Sequence, residues 1–303
     1  MKRKPSEQIL TELEAADDGV PTRPIGTWTL EKLAILLLYF HAFTSASEKA
    51  RGGVYVDGLA GHGLCEVRRA KSPPKFVWGS PLIAARTDPP FDKCVFIEAN
   101  EPVSSMLRNR TRHYAERFTV VEGDVNLILP KIMLEEVHRL APCLCLLDPE
   151  GTELAWETVR STALTPGRRR KPELLILFPS RWLLRLLPTK GQVSAAHEQI
   201  LDRMMPGPEW REVYGRRLNG AIAPSEAKDE YVELYRSALE NLGYKAFSHA
   251  VEAPSVAGGR RTERYQLIFA TEHPAGEKIM SYVFKRPYVL DFPVSLQRPL
   301  FET

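Results

Sequence analysis

Four acidic residues in the first half of the chain each follow a short apolar run that is typical of a β-strand. Because the carboxyl ends of parallel strands meet at one edge of a sheet, we expect the four acids around one crevice. The alternative is that each acid only caps the helix that follows it, which is common for one acid and less so for four. The acids are Asp57 after residues 54–56, Glu98 after residues 93–97, Asp124 after residues 118–121 and Asp148 after residues 143–147.

The first of these acids opens a glycine-rich turn, Asp-Gly-Leu-Ala-Gly-His-Gly at residues 57–63. Glycine lets a backbone approach a ligand where a Cβ atom would clash, so this turn is the expected floor of the crevice. The turn differs from the dinucleotide fingerprint, because Gly63 is followed by Leu-Cys-Glu with no third glycine. This difference disfavours a nicotinamide-dependent oxidoreductase.

The chemistry of the acids suits one small molecule. Glu98, after the second strand, is placed to accept hydrogen bonds from both hydroxyls of a ribose. Asp124 can accept a hydrogen bond from an adenine amino group, and Asp57 can hold an ammonium group directly or through water. A ribose, an adenine and an ammonium group together describe S-adenosylmethionine (SAM).

The glycine turn resembles that of class I SAM-dependent methyltransferases, in the Asp-Pro-Phe-Ala-Gly-Ser-Gly form found in amino-methyltransferases. Other segments are similar to the three-Cys-motif partner (TcmP) family and span most of the chain in that family's order. The resemblance implies SAM as cofactor, a three-Cys-motif partner protein as a candidate partner, and a Rossmann-like three-layer α/β sandwich. Its sheet is expected to be seven-stranded and mostly parallel, with an antiparallel C-terminal hairpin. The similar segments are Trp28-Thr29-Leu30-Glu31-Lys32-Leu33, Val56-Asp57-Gly58, Gly79-Ser80-Pro81-Leu82-Ile83-Ala84, Phe96-Ile97-Glu98, Leu146-Leu147-Asp148-Pro149, and Leu267-Ile268-Phe269-Ala270-Thr271 followed by His273-Pro274.

The resemblance also implies which residues contact the cofactor. Lys32, near the start of the first long helix, would face the carboxylate of SAM. The alternative is a packing helix with a solvated lysine. The implied cofactor-binding residues are Trp28, Thr29, Lys32, Asp57, Gly58, Ala60, Gly61, Gly63, Glu98, Asp124 and Val125.

Asp148 and Pro149 are the expected catalytic residues. The stretch they begin resembles that of amino-methyltransferases acting on nucleobases, in which an acid and a proline-bent carbonyl accept hydrogen bonds from the target amine. The resemblance therefore implies methyl transfer to an amine nitrogen, with nucleic acid as a candidate acceptor.

Glu150 departs from this pattern, because the TcmP family has Tyr or Phe where this chain has Glu150. The missing aromatic keeps a second hypothesis open, a SAM-binding partner subunit without transfer activity of its own. Trp182 is a candidate replacement for the aromatic plane, with a position in the protein core as the alternative.

Composition indicates an ordinary globular protein of 303 residues, and its net charge of +3 neither requires nor excludes nucleic acid. No run is apolar and long enough to cross a bilayer, and residues 1–18 lack the apolar stretch of a secretory signal. The four cysteines have no pairing or metal-binding spacing. Buried reduced thiols in a cytoplasmic protein, with no metal site, are therefore expected.

The chain is expected to divide into a loosely docked N-terminal arm, residues 1–24, and a methyltransferase-like domain, residues 25–303. A helical insertion is predicted at about residues 182–227. Residues 64–78 are predicted to form an inserted loop over the rim of the crevice. The basic residues within 108–113 and 168–171 are predicted to be solvated faces.

Overall fold

The computed structural model describes residues 5–48, 53–68, 74–254 and 261–285. Their strands form two sheets, one of seven strands and one of four. In chain order the strands are β1 (Glu14–Ala15), β2 (Arg23–Ile25), β3 (Val54–Asp57), β4 (Leu64–Val67), β5 (Phe76–Trp78), β6 (Lys93–Glu98), β7 (Phe118–Glu122), β8 (Cys143–Leu147), β9 (Glu173–Phe178), β10 (Lys245–Pro254) and β11 (Arg261–Thr271).

The large sheet has the strand order β10-β11-β9-β8-β3-β6-β7. Its central strand β3 pairs in parallel with β8 and β6, and Val56 lies opposite Cys145 and Val95. β7 and β9 extend the parallel part on either side, while β11 runs antiparallel to both β9 and β10. The predicted mostly parallel sheet with an antiparallel C-terminal hairpin is confirmed. The four strands that end at or just before the four predicted acids, β8, β3, β6 and β7, are neighbours.

Helices cover both faces of the large sheet and complete the three-layer sandwich. Because side chains alternate along a strand, Val54 and Val56 pack into the apolar cluster on one face and Tyr55 into the cluster on the other. In chain order the helices are α1 (Pro5–Leu13), α2 (Thr29–Ser47), α3 (Ser80–Ala85), α4 (Glu101–Thr111), α5 (Val125–Glu135), α6 (Trp156–Ala163), α7 (Ser180–Leu186), α8 (Ala195–Met204), α9 (Trp210–Leu218), α10 (Pro224–Asn241) and α11 (Pro274–Lys285).

The N-terminal segment is more closely integrated than the arm predicted for it. β1 and β2 join the small sheet, whose order is β1-β5-β4-β2, and Ile9 and Leu13 of α1 are buried. The segment predicted as a loop over the rim, residues 64–78, supplies the antiparallel pair β4 and β5. The two segments therefore stabilise each other. Strands of two to four residues, paired with partners far along the chain, leave no pattern that a sequence could show.

The helices α7, α8 and α9 lie between β9 and α10, where the helical insertion was predicted. No described helix is long and apolar enough to cross a membrane. The described residues contain no group of three or more side chains that could hold a metal ion. Cys94, Cys143 and Cys145 are buried free thiols, and Cys65 is a half-buried one.

Candidate functional site

A cavity of about 330 Å³ lies at the carboxyl end of the parallel strands. Its walls come from the start of α2, the glycine turn after β3, the residues that follow β8, the start of α7, and β11. The predicted site residues that line it are Trp28, Thr29, Lys32, Ala60, Gly61, Gly63, Asp148 and Pro149. The predicted site residues that do not line it are Asp57, Gly58, Glu98, Asp124 and Val125.

The glycine turn presents bare backbone to open space. Gly61 has φ +65°, and a Cβ atom built there would meet nothing within 4 Å. Gly58 has a different reason for being glycine, since a Cβ atom there would come within 2.8 Å of Leu147 and 3.0 Å of Val125. Gly61 can therefore approach a ligand, whereas Gly58 lets the turn pack against the end of β8 and the start of α5.

Asp57, the last residue of β3, opens the glycine turn and is fully buried. Its carboxylate accepts a hydrogen bond from the Tyr55 hydroxyl at 2.8 Å and one from the Leu59 N–H at 3.4 Å. Burial raises the pKa of Asp57 to about 6, against the opposing effect of hydrogen bonds from Ser80 and Tyr55. These bonds fix the conformation of the protein around Asp57. Its contact with an ammonium group, directly or through water, stays a prediction.

Glu98, at the end of β6, contacts the glycine turn. Its two oxygens accept hydrogen bonds from the Gly61 N–H at 2.9 Å and the Asn100 N–H at 2.8 Å. Each carboxylate oxygen has two lone pairs, so acceptor capacity remains for ribose hydroxyls. Asp124 accepts a hydrogen bond from the Asn126 N–H at 2.8 Å. It therefore caps the helix that follows it, α5, as the alternative interpretation of the acids proposed.

Lys32 and Asp148 form an ion pair inside the cavity. The ammonium of Lys32, on the first turn of α2, binds Oδ2 of Asp148, which follows β8. The whole residues are only 7% and 9% exposed, so Lys32 is not a solvated lysine. Because the pair is buried, loss of either residue would leave the charge of the other without a partner.

Glu150 and Trp182 lie at the mouth of the cavity. The Glu150 carboxylate forms an ion pair with Arg23 of β2 at 3.0 Å. Trp182 of α7 is 46% exposed, and a Cβ atom at Gly151 would lie 3.8 Å from its indole ring. Trp182 is therefore beside the Asp148-Pro149 turn rather than in the core, the position that an aromatic wall of the site requires.

The Tyr265 hydroxyl and Nδ1 of His62 are buried polar atoms of cavity-lining residues, and neither has a hydrogen-bond partner within the described part of the chain. Burial and the nearby Arg110 charge lower the pKa of His62, which favours the neutral imidazole at pH 7. Buried polar groups are rarely left unsatisfied, so both atoms are candidates to contact a ligand.

Arg110 has a role that the sequence did not indicate. It belongs to the run predicted as a solvated face, but only 4% of its side chain is exposed. It forms an ion pair with Asp18 and donates to the His62 carbonyl at 2.7 Å and the Val20 carbonyl at 2.9 Å. Nothing in the local pattern separates Arg110 from Arg108 and Arg112, so only the folded chain reveals this bridge to the glycine turn.

No protein-family model and no curated protein matches the sequence. Solved structures do resemble the chain. One is a precorrin-6y C5,15-methyltransferase from Geobacter metallireducens, with 11% identity over 87% of this chain and 95% of that one and a TM-score of 0.36. Another is a SAM-dependent O-methyltransferase from Thermotoga maritima, with 11% identity over 83% of this chain and 67% of that one and a TM-score of 0.39. The cofactor-bound protein Rv0187 from MTB has 14% identity over 88% of both chains and a TM-score of 0.42.

Two of the three are methyltransferases. At identities of 11% to 14%, the likeness to these structures concerns the fold alone. The resemblance to the three-Cys-motif partner family stays one of sequence segments, because no family model matches.

Proposed function

We propose that the protein is a SAM-dependent methyltransferase that acts on an amine nitrogen. The observation that carries the proposal is a single cavity that joins the bare backbone of Gly61 to Asp148 and Pro149. A methyl donor bound on the turn would then lie beside a carboxylate able to hold an amine. Proximity and orientation are the main contribution that a protein makes to this type of transfer.

The residues around the turn fit SAM. Open space beside Gly61 admits a ligand against the backbone, and Glu98 keeps lone pairs for the ribose hydroxyls. Lys32 has three N–H donors, so it can bind a carboxylate of the cofactor without leaving Asp148. When bound, SAM supplies an electrophilic methyl group.

Asp148 would hold the acceptor. Lys32 binds its Oδ2, and Oδ1 can accept an N–H of the amine and aim the nitrogen lone pair at the methyl carbon. The same carboxylate stabilises the positive charge that develops on nitrogen as the new bond forms. The Tyr265 hydroxyl, buried in the same cavity, is a further candidate to bind the acceptor.

Within this proposal, the favoured acceptor is an amine on a nucleobase of a nucleic acid. The support is the exposed Trp182 beside the Asp148-Pro149 turn, which provides an aromatic surface although Glu150 occupies the usual aromatic position. A three-Cys-motif protein remains the proposed partner, on the sequence resemblance.

A second candidate is a SAM-binding partner subunit that does not transfer methyl groups. It is favoured by the two ion pairs of the site, Lys32 with Asp148 and Arg23 with Glu150. Both acids next to the expected acceptor position are already neutralised by protein cations. A protein of this kind would bind the cofactor and leave it unchanged.

The test combines calorimetry and transfer. Dialysed protein should bind SAM and S-adenosylhomocysteine but not NAD. Transfer of labelled methyl groups to nucleic acid should fall about a hundred-fold or more in Asp148→Asn, with cofactor affinity retained. Asp92→Asn, at an exposed position before β6, is the matched control.

Full transfer by folded Asp148→Asn protein would remove the amine mechanism. Binding of SAM by a wild-type protein that transfers to no acceptor, with or without the three-Cys-motif protein, would favour the second candidate. Binding of NAD but not SAM would overturn both.

A further inference from the structure

The cavity carries an excess of positive charge. Its two acidic lining residues, Asp148 and Glu150, are each in an ion pair, with Lys32 and Arg23. The other lining residues add further cations and no further acid. In all, the lining has two acids and five residues that are arginine or lysine, namely Arg23, Lys32, Arg181, Arg185 and Arg264.

Two of these cations lie one helical turn apart on α7. Arg181 and Arg185 are exposed, are spaced i and i+4, and make no ion pair with any residue of the described ranges. The Arg185 guanidinium lies 5.2 Å from the centre of the Trp182 ring. This contact holds one arginine against the aromatic wall at the mouth of the cavity.

A third guanidinium lies close by on β11. Arg264 stacks over Trp28, with 4.8 Å between the guanidinium carbon and the ring centre. Burial and, after it, repulsion from the neighbouring charge of Arg181 lower the pKa of Arg264. Like charges that lie close together raise the electrostatic energy of the empty site. An anion that binds between them lowers that energy.

We propose that Arg181 and Arg185 bind the phosphate of a nucleotide unit whose base amine is held by Asp148. The contact between Asp148 and the base amine rests on the proposed function, whereas the phosphate contact is argued from the two arginines. Planar guanidinium groups bind phosphate oxygens in pairs, which suits them better than lysine for this purpose. A nucleotide also has the three features that the cavity recognises: an amine for Asp148, an aromatic plane for Trp182 and a phosphate for α7.

The experiment compares cytidine with cytidine 5′-monophosphate, by calorimetry on protein saturated with S-adenosylhomocysteine. The nucleotide should bind about ten-fold more tightly or better. In Arg181→Ala/Arg185→Ala the nucleotide should fall to the affinity of the nucleoside. Arg169→Ala, an exposed arginine at the other end of β9, should leave both affinities unchanged.

A short single-stranded oligonucleotide identifies the source of the phosphate. Binding tighter than the mononucleotide, weakened by salt and by the double variant, points to nucleic acid. Binding no tighter, with the mononucleotide still dependent on the arginines, points to a free nucleotide.

Equal affinity for nucleoside and nucleotide, or a double variant that keeps the preference, would overturn the inference. A double variant that loses affinity for S-adenosylhomocysteine but keeps its affinity for the nucleotide would also overturn it, because the arginines would then bind the cofactor carboxylate. If the wild type binds no S-adenosylhomocysteine, the proposed function fails. The nucleotide comparison without it still decides the phosphate contact.

Discussion

The ammonium of Lys32 and the carboxylate of Asp148 are partners across the cavity, with 9% and 11% of their side-chain surfaces exposed. One residue was predicted to face the cofactor and the other the acceptor. Their contact joins the two halves of the site. A change at either residue will therefore alter the charge environment of the other.

Removal of one member of this pair should destabilise the protein more than removal of both. Lys32→Met leaves a buried carboxylate without its partner and should lower the free energy of unfolding by about 3 kcal/mol or more. Lys32→Met/Asp148→Asn should recover most of that loss. Urea denaturation of the wild type, Lys32→Met, Asp148→Asn and the double variant gives the coupling energy.

The matched control is Lys93→Met, which removes a pair with Glu136 whose side chains are 33% and 47% exposed. It should cost less than about 1 kcal/mol. Equal losses at positions 32 and 93 would show that burial of the Lys32–Asp148 pair does not matter.

Loss of Glu98 should weaken cofactor binding. Glu98→Ala removes an acceptor for the ribose and releases the Gly61 N–H, so SAM affinity should fall roughly ten- to a hundred-fold. Glu122→Ala, at the end of the adjacent strand β7, serves as control and should bind SAM as the wild type does. An unchanged calorimetric affinity in Glu98→Ala would show that the ribose is not bound there.

Asp57 should make stability depend on pH below neutrality. Burial raises its pKa from 3.8 to about 6, so the native carboxyl binds a proton at a pH where the unfolded one has lost it. Its contribution to the free energy of unfolding is therefore greatest near pH 4 and falls by roughly 3 kcal/mol as pH rises through about 6.

Asp57→Asn does not titrate, so the difference in unfolding free energy between wild type and variant should shrink or reverse by that amount across the window. Chemical denaturation at several pH values from about 4 to about 7 measures it. Parallel pH profiles for the two proteins would contradict the raised pKa.

Tyr265→Phe should alter acceptor binding without unfolding the protein. Its hydroxyl has no partner among the described residues, so its removal should change stability by less than about 1 kcal/mol. If the hydroxyl binds the acceptor, the acceptor KM should rise several-fold while SAM affinity stays constant.

Tyr39→Phe is the contrasting variant, because the Tyr39 hydroxyl donates to Glu173 at 2.6 Å far from the cavity. It should lower stability and leave the acceptor KM unchanged. If Tyr265→Phe lowers stability and leaves the acceptor KM unchanged, while Tyr39→Phe raises the KM, the Tyr265 hydroxyl lies outside the acceptor site.

The sequence predicts the large sheet well, since runs such as residues 93–97 are long enough to show a strand and end in an acid. It also predicts the cavity floor, because the glycine spacing of residues 57–63 is local. The inward direction of Asp57 was present in the sequence too. Tyr55 and Asp57 are two residues apart in a strand and so share a face, and a buried tyrosine on that face predicts a buried acid.

Other parts of the site depend on contacts between distant segments. Arg23 meets Glu150, and Arg110 meets Asp18, only after the chain has folded. Arg181 and Arg264 come from different elements that meet at one wall. No local spacing carries such pairings, so they remain invisible until the topology is known.

The buried guanidinium of Arg110 ties residues 18–21 to the glycine turn of the proposed cofactor site. One terminal nitrogen of the guanidinium, Nη1, donates to the Pro21 and His62 carbonyls, and the other, Nη2, donates to the Val20 carbonyl. A protease cut or a deletion that removes residues 18–21 would deprive Arg110 of most of these partners. The turn beside Gly61 would then lose this support, so a cut or deletion at residues 18–21 should weaken binding of the proposed cofactor.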